Sequence, residues 1–312
     1  MKVEPSTLII KILVADAGLP AGISGRVAAY FSDIEEFLGC TRQQLMGLRT
    51  ASGNTLRLGE DVLETILRTA SSGLISPSVS VQENYIRAIA RDFTRRQLSN
   101  IKAIALDNLN VNPLLVRSLN LKTPHEMLEF NIYAAVSRSI VTSMGYFVQD
   151  LLSITSDSVE KVRAGWDMVK HGDDGTNHWI QIKSGPNDMD KDQIVYWLSK
   201  IEDAEAGGDR GYIGITYGKR GNNTVSLSLM RTYLPDMEVR TLIGRELWDF
   251  LSGDAAFHER LFDSLRLSAS RILGSHSVEE EIRACIDRVH EEFRERFGDG
   301  EAGLEAYISS IF

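Results

Sequence analysis

Two cysteines, Cys40 and Cys285, are all the chain contains, too few and too far apart to build a zinc site or a disulfide framework. Their scarcity fits a reducing, cytoplasmic setting. Long apolar runs are missing as well. The opening stretch Leu8-Ile9-Ile10-Lys11-Ile12-Leu13-Val14 is interrupted by Lys11 and followed by Asp16, so neither a signal peptide nor a membrane span is expected. No G-x-x-x-x-G-K-[S/T] occurs, and Gly214 to Lys219 has the wrong spacing for a phosphate-cradling loop, so ATP is not an expected ligand. There is no G-x-S-x-G, and the six histidines fall in no H-E-x-x-H spacing. Positive charge is in the minority, at 34 Lys and Arg against 43 Asp and Glu for a net charge of −9. That balance argues against a protein that coats nucleic acid indiscriminately and leaves room only for a focused basic surface.

What remains is a chain of 312 residues, 43% hydrophobic and 25% charged, able to fold into about two globular domains. Its most informative segment runs from Asp167 to Lys183. Lys161 to Val169 mixes β-branched, aromatic and polar residues, and His178 to Ile182 alternates, with Trp179, Gln181 and Lys183 on one face and Ile180 and Ile182 on the other. Two short strands are expected, joined by the turn-forming Gly172-Asp173-Asp174-Gly175-Thr176-Asn177. In such a hairpin Gln181 and Lys183 point the same way and converge with Asp167 of the neighbouring strand.

One carboxylate, one carboxamide and one ammonium at a single place suit phosphodiester hydrolysis. A hard divalent ion takes oxygen ligands, polarises a phosphate and lowers the pKa of a bound water. Asp167 is the metal anchor in this reading, Gln181 offers its side-chain oxygen and Ile182 its backbone carbonyl. Lys183 steadies the attacking water or the charge developing on phosphorus. The plainer alternative is that Asp167 and Lys183 form a cross-strand ion pair on a solvated sheet face.

On these residues the chain resembles the PD-(D/E)XK nuclease superfamily and, within it, the type II restriction endonucleases. Asp167 matches the family's Asp and Lys183 its Lys; Gln181 stands where most members carry Glu or Asp, and Trp166 where the name-giving Pro would be. The missing carboxylate removes a negative charge from the metal site and weakens its hold on Mg²⁺. The resemblance spans roughly residues 125 to 250 and includes the step from Lys183-Ser184-Gly185-Pro186 into a helix over Met189 to Glu202, with Ile194, Trp197, Leu198 and Ile201 at helical spacing. Gly211 to Tyr217 and Thr224 to Met230 read as two more strands. Glu126 to Gln149 reads as a preceding helix, on which the family often places a third metal-site carboxylate; Glu129 is the candidate.

The resemblance implies an α/β (α+β) fold: a restriction-endonuclease-like central mixed β-sheet flanked by helices. It also implies Mg²⁺, with Mn²⁺ able to substitute, double-stranded DNA as substrate, a homodimer, and a cognate DNA methyltransferase in the same system. Residues 1–120 are then a mostly helical DNA-binding or dimerisation region, 121–255 the catalytic core, and 256–312 a helical segment packing on the core or on a dimer partner. Two other functions stay open: a repair or structure-specific nuclease of the same superfamily, and a non-cleaving DNA-binding protein on a decayed nuclease fold.

Candidate DNA contacts fall in three places. Arg87, Arg91 and Arg95 are spaced by four on a predicted helix from Gln82 to Asn108 and form either a stripe that tracks a phosphate backbone or a solvated face. Ser184, Asn187 and Lys191 follow the active-site lysine. Lys219, Arg220 and Asn222 sit in a loop after a strand, where Arg and Lys suit guanine and Asn suits adenine, although an exposed hairpin tip carries such residues too. Ser32 to Leu48, then Thr50 to Leu56 before a further helix, vaguely resembles a phosphate-gripping helix-hairpin-helix; a simple helical pair joined by a polar turn is the favoured reading.

Overall fold

The alternation in Asn177–Lys183 dictates one central strand with a buried face and a half-buried face. The computed structural model, which describes residues 3–49, 52–162 and 165–311, has that arrangement. Ile180 and Ile182 are buried while Trp179, Gln181 and Lys183 are only partly covered. This strand, β3, lies at the centre of a five-stranded mixed sheet in the order β1-β2-β3-β4-β5, where β1 is Val159–Lys161, β2 Met168–His171, β4 Arg210–Ile215 and β5 Thr241–Ile243. The pairs β1·β2 and β2·β3 are antiparallel; β3·β4 and β4·β5 are parallel. With 61% of residues helical, the chain is of the expected α+β class, a mixed sheet flanked by helices.

The expected hairpin forms around its expected turn. The Gly172 N–H donates to the Thr176 carbonyl at 2.9 Å, Asp174 Oδ1 accepts from the Thr176 N–H at 2.9 Å, and Gly175 adopts φ +84, which an L side chain rarely does. The strand expected over Lys161 to Val169 is instead two strands with a connection between them, in which the Val162 N–H donates to the Asp167 carbonyl. Arg163 and Ala164 of that stretch, like Thr50 and Ala51 of the expected polar turn, lie outside the described residues.

The parallel half of the sheet needs helical crossovers, and the helix Lys191–Ala206 supplies the first. Asp190 caps it by accepting from the Gln193 N–H, and Ile194, Trp197 and Ile201 face inward at helical spacing. The fit against β4 is close: a Cβ on Gly211 would stand 2.8 Å from the Ile201 Cα. The strand expected at Thr224 to Met230 is a helix, Val225–Tyr233. Val-Ser-Leu-Ser-Leu alternates as a strand would, but Thr224 caps the first turn, accepting from the Leu227 N–H, and buried Ser226 bonds both the N–H and the carbonyl of Met189. The local cap and the contact to Met189, distant in the chain, together override the alternation.

The chain divides into two compact units, Met1–Asp92 with Gly145–Ser268, and Phe93–Met144 with Ala269–Phe312. Each boundary falls inside a helix, in Val81–Lys102, Pro124–Leu152 and Phe257–Leu273. The first unit holds the sheet and a helical core in which Phe37, Leu45, Leu63 and Ile66 pack with Leu8, Ile9, Ile12 and Leu13. In the second, the apolar side of Val278–Phe297 packs through Ile282, Ile286, Val289 and Phe293 with Met127, Leu128, Ile132 and Val136 and with Leu304 and Tyr307. The acidic C-terminal helix thus has its apolar face covered by its own unit. Among the described residues no helix is long and apolar enough to cross a membrane.

The arginine stripe does not face outward as one row. Arg91 is 2% exposed, and its guanidinium donates to both oxygens of Asp16, at 2.9 and 2.8 Å. Beside it Lys11 pairs with Asp92 at 2.6 Å, and Arg87 is half-buried against Glu83 at 2.5 Å. Losing one member of a buried pair strands a charge. Arg91→Leu is therefore expected to destabilise the first unit by about 3–5 kcal/mol, and an added Asp16→Leu to recover most of the loss, both read from urea denaturation.

Candidate active site

Asp167 lies one residue before β2, and its N–H donates to the Ile180 carbonyl of β3 at 3.2 Å. Its carboxylate is surrounded by N–H donors. Oδ2 accepts from the side-chain amide of Gln181 at 2.5 Å and from the Ile182 N–H at 2.8 Å; Oδ1 accepts from the side-chain amide of Gln149 at 3.0 Å. The Gln181 amide also approaches the Ile182 carbonyl, at 3.3 Å, so that oxygen faces the same space. Strand parity brings Lys183 to the same sheet face as Gln181. Among the described residues the Lys183 side chain has no hydrogen bond or ion pair, and it makes no salt bridge to Asp167, although its charge acts on that carboxylate. The pair is therefore not a cross-strand ion pair.

Gln149 carries no charge and was not visible as a site residue from the sequence. It stands near the end of the helix Pro124–Leu152, the last turn of which leads to the sheet edge. Glu129, on the same helix, belongs to the second unit, is exposed, and lies near the Arg283 guanidinium, whose pKa is raised mainly by Glu279 and also by Glu129. The helix meets Asp167 through an amide.

The donor set is all oxygen when the carboxamides present that atom: the Asp167 carboxylate, the Gln181 and Gln149 side chains, and the Ile182 carbonyl. Such a set fits a hard divalent cation, with a single formal negative charge to hold it. Among the described residues no cluster of three or more His, Cys, Asp or Glu side chains stands ready for a metal. The fit therefore depends on the amides.

Of the candidate DNA contacts, two groups meet beside Lys183. The Thr224 hydroxyl donates to the Pro186 carbonyl at 2.6 Å, and the Asn187 side chain accepts from the Ser226 N–H at 3.4 Å, which ties the segment after β3 to the loop after β4. Asn187, Lys191 and Lys219 are exposed there, and Ser184 and Asn222 half-exposed. Arg220 is committed elsewhere: its guanidinium donates to Glu246 at 2.9 and 2.6 Å and to the side chain and carbonyl of Thr241, each at 2.7 Å. It braces β5 and is not free to read a base in this conformation. Arg91, buried on Asp16, is removed from DNA in the same way, Arg87 is held by Glu83, and Arg95 falls in the second unit.

Burial lifts the Asp167 carboxyl above the ordinary carboxylate range, while the Ile182 N–H and the Lys183 charge pull it back. The folded chain then binds a proton more readily than the unfolded one. The group's contribution to stability is fully present below the unfolded carboxyl value and is lost as pH rises through the raised folded value. Asp167→Asn cannot titrate, so its stability relative to the unsubstituted chain is expected to rise between acid and neutral pH, as measured by thermal denaturation at a series of pH values.

Residues 80–272 match the family model of the type II restriction endonuclease EcoO109I. No curated protein matches the chain. The matched region runs through all five strands and includes Gln149, Asp167, Gln181 and Lys183, and it spans more than half of the 312 residues. The chain belongs to the family of the type II restriction endonuclease EcoO109I.

Proposed function

We propose that this chain is a Mg²⁺-dependent, sequence-specific endonuclease that hydrolyses phosphodiester bonds of double-stranded DNA, with Mn²⁺ able to replace Mg²⁺. The observation that carries this reading is the convergence of Asp167 and Gln181 on one point beside Lys183, whose side chain is unpaired among the described residues. Asp167, Gln181 and the Ile182 carbonyl would hold the metal, with Gln149 at the same carboxylate. When bound, the ion supplies Lewis acidity toward the phosphate and a bound water of lowered pKa. Lys183 orients the attacking water and offsets the charge that grows on the phosphoryl oxygens, a role its lack of any other partner leaves open to it. Asp167 keeps the site anionic, and Ile180 and Ile182 hold the strand rigidly from behind.

Cutting both strands of a duplex needs two such sites. A homodimer whose twofold axis matches a palindromic sequence supplies them, and the helical regions before residue 120 and after 255 are the parts we assign to dimerisation and DNA contact. An enzyme of this kind in the cytoplasm would cut its own host's DNA, so a cognate DNA methyltransferase completes the system. Glu129 and Arg95 remain proposed participants only if the second unit also meets the DNA. One observation favours a non-cleaving DNA-binding protein: Asp167 is the only carboxylate among the residues gathered at the site.

The test is digestion of plasmid and phage DNA in Mg²⁺ and in Mn²⁺ beside Asp167→Ala and Lys183→Ala. Discrete fragments are expected, with each substitution slowing cleavage by roughly a thousandfold or more. DNA left intact in every lane, but bound without metal, would move the assignment to the non-cleaving protein. Gln181→Glu restores a second carboxylate, so the same digestion is expected to reach half its maximal rate at a lower Mg²⁺ concentration.

A further inference from the structure

We infer that Tyr217 contacts the sugar–phosphate backbone of bound DNA, its hydroxyl donating to a phosphate next to the one at Lys183. The inference rests on the nuclease reading of the site and adds a substrate contact to it.

The placement follows from register. In the parallel pair β3·β4, Gln181 faces Ile213 and Lys183 faces Ile215, and residues paired in this way project to the same side of a sheet. Two residues farther along, just past the ends of both strands, stand Gly185 and Tyr217. The phenol lies across the glycine: a Cβ built on Gly185 would stand 2.6 Å from the Tyr217 Oη, 3.1 Å from Cζ and 3.2 Å from Cε1. Tyr217 thus lies against the segment that follows Lys183, two residues on, at a position where a side chain would have excluded it.

Packing does not account for the residue. Tyr217 is 62% exposed and, among the described residues, its hydroxyl has no hydrogen-bond partner. Its backbone, by contrast, is anchored on both sides. The Thr216 N–H donates to the Lys183 carbonyl at 3.1 Å, the Thr216 hydroxyl donates to the Ser184 carbonyl at 2.7 Å, and the indole of Trp248 donates to the Thr216 carbonyl at 2.9 Å. On the other side Gly218 lies so close to Gly244 that a Cβ on Gly244 would come within 2.5 Å of the Gly218 carbonyl oxygen. A rigidly mounted, solvent-facing phenol with an unused donor loses little freedom on meeting a ligand. Tyrosine hydroxyls commonly donate to phosphate oxygens and position a protein on DNA without reading its sequence. Exposed Lys219, two residues on, adds positive charge to the same loop.

The full-length protein is titrated, in Ca²⁺, against two fluorescent duplexes, one carrying the site cut by the unsubstituted enzyme and one of random sequence. Tyr217→Phe removes only the hydroxyl and is expected to weaken binding to both duplexes by about three- to tenfold, with an unchanged melting temperature. Gly185→Ala places a methyl where the phenol lies and is expected to weaken binding to a similar extent, and the double variant to bind no more weakly than Tyr217→Phe alone. Wild-type affinity of Tyr217→Phe for both duplexes overturns the contact, and so does a loss confined to the cleavable duplex, which would make Tyr217 a base reader. If the unsubstituted enzyme cuts DNA while Tyr217→Phe keeps full affinity, the contact falls and the nuclease stands; if it neither binds nor cuts, both fall.

Discussion

A carboxylate held partly out of water has to be matched by donors, and at Asp167 the match is made by three N–H groups from two places in the chain. Gln181 and Ile182 come from β3, and Gln149 from the end of the long helix before the sheet. The hydrogen bond from Ile182 is donated by its main-chain N–H and does not depend on the side chain at position 182. The two amides are different, because each presents either a donor or an oxygen according to how it is turned. In the structure they face the carboxylate with N–H groups; for a cation the same side chains would have to offer oxygen. The carboxylate is flanked by two neutral amides, which sets the site apart from a cluster of acids.

Strand β3 connects this chemistry to the fold. Its odd-numbered side chains, Trp179, Gln181 and Lys183, share the half-buried face that carries the site, and its even-numbered ones, Ile180 and Ile182, are buried on the other. A register slip of one residue would bury the lysine and expose the isoleucines, so the apolar pair enforces the position of the functional pair. β3 is also where the sheet changes from antiparallel to parallel. The antiparallel side delivers Asp167 by a hairpin. The parallel side brings the loop after β4, with Tyr217 and Lys219, alongside the segment that follows Lys183.

Charged residues away from the site divide by burial. Arg91 and Arg220 belong to sequence patterns that invite a DNA-binding reading, yet each has its guanidinium saturated by groups far along the chain: Asp16 for the first, Glu246 and Thr241 for the second. A stripe at intervals of four says that side chains share a helix face; it does not say whether that face meets water or another helix. With Arg91 turned to Asp16 and Arg87 to Glu83, these two members of the stripe are taken up within the first unit.

What was legible in the sequence is what local periodicity controls. The hairpin, its Gly-Asp-Asp-Gly turn, the two faces of β3, the long helix before the sheet and the helix after Lys183 all follow from alternation, helical spacing and turn chemistry over fewer than thirty residues each. Elements whose form depends on distant contacts were not legible. The Val225–Tyr233 segment alternates like a strand but is capped by Thr224 and tied to Met189, and three-residue β5 is too short to show a period. By itself, then, the sequence determined that Asp167, Gln181 and Lys183 would share a sheet face, since strand geometry leaves them little choice. Only the tertiary structure decided that Gln149 meets Asp167 from the helix, that Arg91 and Arg220 are taken up inside the protein, and that Tyr217 stands over Gly185. Each of those is a contact between segments far apart in the chain, where side-chain type carries no record of the neighbour that folding supplies.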